Sequence, residues 1–222
     1  MSEPRVGGVL VTWNAARDLP ALLPSLMEQT HPLARLIVVD NGSSDDTLGL
    51  VRKYYPAAEI IENDQNLGFA RAMNQGLKLV LEDCEFALTI NQDLVLEPDC
   101  LEKLLDKVGT AVKSASFQPL LLRLSGRGGD DPLVDSTGHL MFTDRVAINR
   151  GAGKPLSDVE IQGELFGVSA ALALYRVEAL KKVSPDGEVF PSDFFSYFED
   201  VDLDYRLLLA GFTPEFCNEA RA

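Results

Sequence analysis

Four acids fall within six positions near the end of the chain: Glu199, Asp200, Asp202 and Asp204, inside the stretch FFSYFEDVDLDYRLLLAGF at 194–212. Glu199 and Asp200 come directly after the aromatic residues Phe194, Phe195, Tyr197 and Phe198. Paired carboxylates against aromatic walls are a way to raise one carboxyl pKa or to build a general base. A plainer reading covers part of the cluster. Acids suit the first turn of a helix, where free N–H groups and the macrodipole favour negative charge. Asp202 and Arg206, four apart, read as a surface pair, and Asp204 as a solvated helix position. Phe198, Val201, Tyr205, Leu208 and Leu209 recur at helical spacing and are expected to form the buried face.

A second group is Asn91-Gln92-Asp93, at the end of an apolar run. A carboxylate in that position can hold a divalent cation through oxygen, and the cation can bridge a diphosphate. As a bare tripeptide it reads equally well as a turn. DNGSSDD at 40–46 offers Asp40 as an acceptor for a base or ribose, and again a turn is the simpler reading. NLGFARAMNQG at 66–76 offers Gly68 for a close backbone approach and Arg71, near a helix start, for a phosphate oxygen. No P-loop or dinucleotide fingerprint is present. His31 and His139 have no partner pattern nearby, and the three cysteines (Cys84, Cys100, Cys217) show no metal-ligand spacing.

Composition narrows the partners. The chain has 222 residues, 46% of them apolar, and a net charge of -14. That acidity argues against binding a nucleic-acid backbone, while leaving room for a nucleotide in a local pocket. The start, MSEPRVGG, lacks the apolar core of a signal peptide. No apolar run approaches the about 18 residues of a membrane span. With an odd number of unpatterned cysteines, this points to free thiols and a cytoplasmic protein.

The elements that must position these residues alternate. VGGVLVTW (6–13), RLIVVD (35–40), AEIIE (58–62) and EFALTI (85–90) read as strands. Helices follow them: one around Leu19, Leu22, Leu23 and Leu26, one capped by a serine of NGSSDDT, one from Phe69 to Val80, and one opened by Pro98. Four strand–helix alternations predict an α/β fold with a parallel sheet, whose ligands bind outside the carboxyl ends of the strands. Thr12, Asn14, Asp40, Asn41, Asn91 and Asp93 all lie at such ends. Beyond residue 110 the pattern changes. SASFQPLLLRLSG (114–126) reads as a strand and loop, RGGDDP (127–132) as a turn, 133–153 as mixed strands, and RGAGKP (150–155) as flexible. FGVSAALALYRVEAL (166–180) reads as small residues followed by helix, and TPEFCNEARA offers no closing element.

Taken together, VTWN (11–14), VVDNGSSDDT (38–47), NLGFARAMNQG, NQD and the ED stretch resemble a family 2 glycosyltransferase of the rhamnosyltransferase-like branch, in order and approximate spacing. The resemblance implies a GT-A fold: a Rossmann-like, mostly parallel sheet flanked by helices, with a smaller mixed acceptor-side region. Residues 1–110 would form the nucleotide-sugar half, and 111–222 the acceptor-side and base-bearing half of the same domain. It implies inverting transfer of a sugar, rhamnose in this branch, from a dTDP- or UDP-linked donor to a glycan or lipid-linked acceptor of cell-wall polysaccharide synthesis. Thr12, Asn14, Asp40, Asn66, Gly68, Arg71 and Asn91 would bind the nucleotide sugar. Asp93 would carry Mg²⁺ or Mn²⁺, with modest affinity because Asn91 stands where the family's first metal-motif aspartate is expected. Asp200 would be the base, Glu199 its neighbour at the acceptor, and Ser169 and Ala170 would lie near the reacting groups. Work on lipid-linked acceptors would put the protein peripherally at the inner membrane face. The family's further metal-binding histidine, beyond the ED helix, has no counterpart here, which with the abrupt ending suggests a piece of a longer chain. Two other classes compete: a non-catalytic nucleotide- or glycan-binding domain, and a nucleotidyltransferase. The second would need a basic glycine-rich loop after the first strand, and TWNAARD has none.

Overall fold

The computed structural model describes residues 3–124 and 131–222. The RGGDDP turn therefore lies largely outside the described residues. The first half follows the alternation: β1 (Val6–Thr12), α1 (Leu19–Met27), β2 (Arg35–Asp40), α2 (Thr47–Tyr54), β3 (Glu59–Glu62), α3 (Phe69–Asp83), β4 (Phe86–Ile90) and α4 (Cys100–Thr110). Strand β1 pairs in parallel with both β2 and β4, and β2 with β3. The central strands are buried on both faces. Leu36 and Val38 of β2 enter the cluster that α1, α2 and α4 cover. Ile37 and Val39 enter the one covered by α3, α5 (Val177–Val183) and α6 (Glu199–Leu209). This two-sided burial is why RLIVVD has no polar alternation.

The second half supplies β5 (Ser114–Leu122), β6 (Val134–Ser136), β7 (His139–Met141), β8 (Ala147–Asn149), β9 (Leu172–Arg176) and β10 (Thr213–Arg221). The sheet order is β10-β5-β9-β4-β1-β2-β3, with β6 added on β5 and β7–β8 forming a separate hairpin. Strand β9 runs antiparallel to both β4 and β5, and β10 runs parallel to β5.

Several expectations change. Residues 172–176 are a strand before the helix begins: Ala173 and Tyr175 pack on one sheet face, and Leu172 and Leu174 on the other. The last residues do form an element, β10. Residues 150–155 are held down, with Gly153 N–H donating to the Val134 carbonyl at 2.8 Å. No serine caps α2; Asp45 accepts from the Thr47 backbone N–H at 3.1 Å and keeps its pKa below the usual carboxylate value, hydrogen bonding outweighing burial. The acids of that segment precede the helix. Pro98 likewise precedes α4, which begins at Cys100. All three cysteines are free and buried.

Candidate active site

The strand tips form one continuous polar network. Asp40 ends β2 almost fully buried, accepting from the Thr12 hydroxyl at 3.0 Å and from the Ser43 backbone N–H at 2.9 Å. Asn14, in the left-handed region at φ 48°, accepts from the Ser44 N–H at 2.8 Å. Gln92 forms a two-way clasp on the Trp13 backbone, which joins the β4 tip to the β1 tip. Asn41, buried beside Asp40, donates to the Asn66 side chain at 3.0 Å and to the Gly68 carbonyl at 3.2 Å, and accepts from the Leu67 N–H. It was visible only as one strand-end residue among several; it is the hub that fixes the 66–68 turn.

Gly68 does permit a close approach, but to the chain itself. Its φ is +86°, and a Cβ there would sit 2.5 Å from the Phe195 carbonyl oxygen. The same carbonyl accepts from the Phe69 N–H at 2.7 Å. The 66–68 turn and the loop leading to the ED pair are thus stapled together. Arg71, exposed at the start of α3, donates to the Ser192 carbonyl at 3.3 Å.

Past that staple the chain turns sharply. Tyr197 and Phe198 both have positive φ, 73° and 67°, a conformation costing about 1–3 kcal/mol each where neighbours enforce it. Helix α6 then begins at Glu199, with Glu199, Asp200 and Asp202 in its first turn. Asp200 faces a cleft of about 380 Å³ whose lining includes Asn91, His139, Ser169, Ala170 and Glu199. Its carboxylate accepts from the Ala170 N–H at 3.1 Å and from the Val201 N–H at 2.9 Å. Gln118, fully buried in β5, accepts from the Ser169 N–H at 2.7 Å and so aims this backbone at Asp200. Glu199 is buried, and its Oε2 has no hydrogen-bond partner. Burial, with the Asp200 charge added, pushes its carboxyl up to about 7.

Two readings fail on α6. Its buried side is Glu199, Leu203, Asp204 and Leu207, whereas Phe198, Tyr205 and Leu209 are 59%, 40% and 85% exposed. Apolar residues fit either face at helical spacing, and the polar cluster decides which face turns inward. Asp204 is accordingly buried rather than solvated. Its Oδ2 meets His139 Nδ1 at 2.8 Å, and its Oδ1 accepts from the Val168 N–H at 3.1 Å. Gly167 makes this possible, since a Cβ there would overlap the Asp204 carboxylate. His139 does have partners, reached across 65 residues. Nothing in TGHLM signals them. Asp202 and Arg206 do pair, at 2.8 Å.

Asp93 is exposed, and among the described residues it makes no hydrogen bond or ion pair. Among those residues, no group of three His, Cys, Asp or Glu side chains could hold a metal. A lone free carboxylate on the same strand end as the Asn91 amide suits a hard, hydrated cation that takes its other ligands from phosphate. Thus Asn91, Ser169, Ala170, Glu199 and Asp200 share one cleft. Thr12, Asp40, Asn66 and Gly68 form the adjoining network, with Asn14 held beside it by Ser44. Arg71 and Asp93 are not part of the cleft lining.

The family model for "Glycosyl transferase family 2" matches residues 9–184. The chain belongs to this family. Among curated relatives, glycosyltransferases again appear. The N-acetylglucosaminyl-diphospho-decaprenol L-rhamnosyltransferase of Mycobacterium tuberculosis is 24% identical over 96% of this chain and 73% of its own. The hyaluronan synthase of Streptococcus pyogenes is 23% identical over 79% of this chain and 41% of its own. Solved structures agree on the fold. S. aureus TarS 1–349 in complex with UDP superposes with a TM-score of 0.70 at 21% identity, over 98% of this chain and 60% of that one. The mannosyltransferase PcManGT of Pyrobaculum calidifontis, in complex with GDP-Man and Mn²⁺, gives 0.66 at 15% identity, over 100% of this chain and 57% of that one. This glycosyltransferase domain therefore has the GT-A fold and spans under two thirds of these solved chains. Among its described residues, no helix is long and apolar enough to cross a membrane.

Proposed function

We propose that this chain is an inverting glycosyltransferase. It moves a sugar, rhamnose by analogy with the mycobacterial relative, from a dTDP- or UDP-linked donor to a glycan or lipid-linked acceptor of cell-wall polysaccharide synthesis, working at the inner face of the membrane. One observation carries the reading: Asp200 faces the cleft with its carboxylate aimed by two backbone N–H groups.

The acceptor hydroxyl oxygen attacks the anomeric carbon as Asp200 takes its proton. The bond from that carbon to the diphosphate oxygen breaks, and its electron pair leaves with the diphosphate. Thr12, Asn14, Asp40 and Asn66 hold the nucleoside end, with Thr12 and Asp40 fixed to each other, Asn66 to Asn41 and Asn14 to Ser44. Gly68, in the 66–68 turn, and Asn91, in the cleft lining, contact the nucleotide sugar in this reading. Arg71 is close enough in sequence to the Gly68 turn to reach a diphosphate oxygen by leaving Ser192. Asp93 would hold Mg²⁺ or Mn²⁺, which when bound neutralises charge on the departing diphosphate. Glu199, carrying a proton up to about pH 7, can donate a hydrogen bond to the acceptor.

A thermal-shift panel of UDP, dTDP and GDP and their sugars, with and without Mg²⁺ or Mn²⁺, tests the donor side. A ligand at one hundred times its Kd adds about 2.7 kcal/mol, roughly 5–10 °C here. Stabilisation by dTDP or UDP that grows with metal supports the reading. No shift with any nucleotide from a folded sample contradicts it and favours a non-catalytic domain.

A further inference from the structure

We propose that His139 is a positioning residue for the Asp200 base: an imidazolium anchored by Asp204 that holds Asp200 in place. This rests on Asp200 being the base. The geometry is a line of three groups. His139 Nδ1 lies 2.8 Å from Asp204 Oδ2, and Nε2 lies 3.7 Å from Asp200 Oδ2, an ion-pair distance longer than a hydrogen bond. The side chains are 7%, 1% and 16% exposed for His139, Asp204 and Asp200. Both ends are fixed by backbone. Asp204 takes the Val168 N–H and Asp200 the Ala170 N–H. The ring's own segment is pinned by His139 N–H to the Gly167 carbonyl and Phe166 N–H to the His139 carbonyl.

The charge inventory explains why a cation belongs there. Glu199, Asp200 and Asp204 lie within the first six residues of α6. Tyr175, from β9, sits in the field of all three, its hydroxyl buried without a partner. Asp135, from β6, lines the same cleft. Arg123 reaches Asp135 at 3.6 Å, but among the described residues His139 is the only basic side chain paired with any of Glu199, Asp200 and Asp204; the buried Arg150 turns to Thr137 and the Phe216 ring instead. Buried carboxylates that lose their one cation are strongly destabilised. Burial opposes the charged ring, but the Asp204 hydrogen bond and the charges of Asp200 and Asp204 outweigh it and raise its pKa, while burial pushes Asp204 itself up to about 7 against the pull of that hydrogen bond.

With only two histidines in the chain, ¹⁵N-edited NMR of the intact protein can follow His139 directly, assigned by a His31→Asn variant. The expected result is an imidazolium at pH 7 whose midpoint falls by about 0.7 unit or more in Asp200→Asn, the effect of one charge at about 4 Å in a water-like dielectric. A neutral ring at pH 7, or a midpoint that ignores Asp200→Asn, overturns the proposal. A functional arm uses His139→Gln and release of dTDP or UDP from the matching sugar donor. In this variant kcat should fall while KM for the donor holds, because Asp200 loses the group that orients it. If Asp200→Asn keeps full turnover, it is the base assignment that fails. If Asp200→Asn abolishes turnover while the His139 midpoint stays put, only the role of His139 falls.

Discussion

The two sides of the site solve opposite problems with similar residues. At the strand tips, Asp40, Thr12, Asn41 and Asn66 are joined so that each buried polar group has a partner. Around α6, Glu199 Oε2 and the Tyr175 hydroxyl have none, and two carboxylates, Asp200 and Asp204, share one histidine. A satisfied network rigidifies, as suits the nucleotide site proposed there. An unsatisfied, charged one has shifted pKa values and costs stability, as suits proton transfer. The contrast predicts that substitutions on the α6 side change rate or pH dependence steeply, while those on the donor side change stability and affinity modestly.

The largest effect should come from Asp200→Asn. Turnover falls by about 10²–10⁴, while the Kd for the nucleotide sugar, measured calorimetrically, stays within about threefold. Next is Asp204→Ala, which strands His139. Chemical denaturation should show a loss of about 3–5 kcal/mol, the scale for breaking a buried pair. Gly68→Ala tests the staple between the two sides. Its Cβ would meet the Phe195 carbonyl at φ +86°, so a loss of about 1–3 kcal/mol is expected, with weaker donor binding in the same titration.

Glu199 gives the pH signature. Below its ordinary value of 4.5 it is protonated whether the chain is folded or not, and between 4.5 and about 7 only the folded state keeps the proton. The folded state then binds more protons than the unfolded one, so stability declines as pH rises through that window and stays lower above it. Glu199→Gln should flatten the decline and raise Tm at pH 8, by about 2–4 °C for each kcal/mol recovered. The smallest effect is Thr12→Val. Asp40 keeps its Ser43 contacts, so denaturation should show a cost of about 1 kcal/mol.

The same contrast explains what could be read from sequence. The strand tips are local: a strand, its terminal polar residue and the next helix are contiguous, so apolar runs ending at Thr12, Asp40 and Asn91 placed those residues. The ED pair was legible from its aromatic run. Asp204 was not, because a buried acid on a helix is indistinguishable from an exposed one until its partner is known. That partner, His139, lies on a three-residue strand held to residue 167 by a single β-bridge, too short for any periodicity. Strands β9 and β10 were missed for a related reason. Their neighbours β4 and β5 are distant in sequence, and LALYR and TPEFCNEAR carry no alternation strong enough to stand alone.

The most direct test of the account is a paired measurement on the intact chain and on Asp200→Asn. Binding of the nucleotide sugar is measured by calorimetry, and transfer or hydrolysis by release of the nucleoside diphosphate, both with Mn²⁺. The account predicts near-equal binding, with turnover present in the first protein and lost by at least about a hundredfold in the second. Equal turnover in both, or binding without turnover in either, would contradict it.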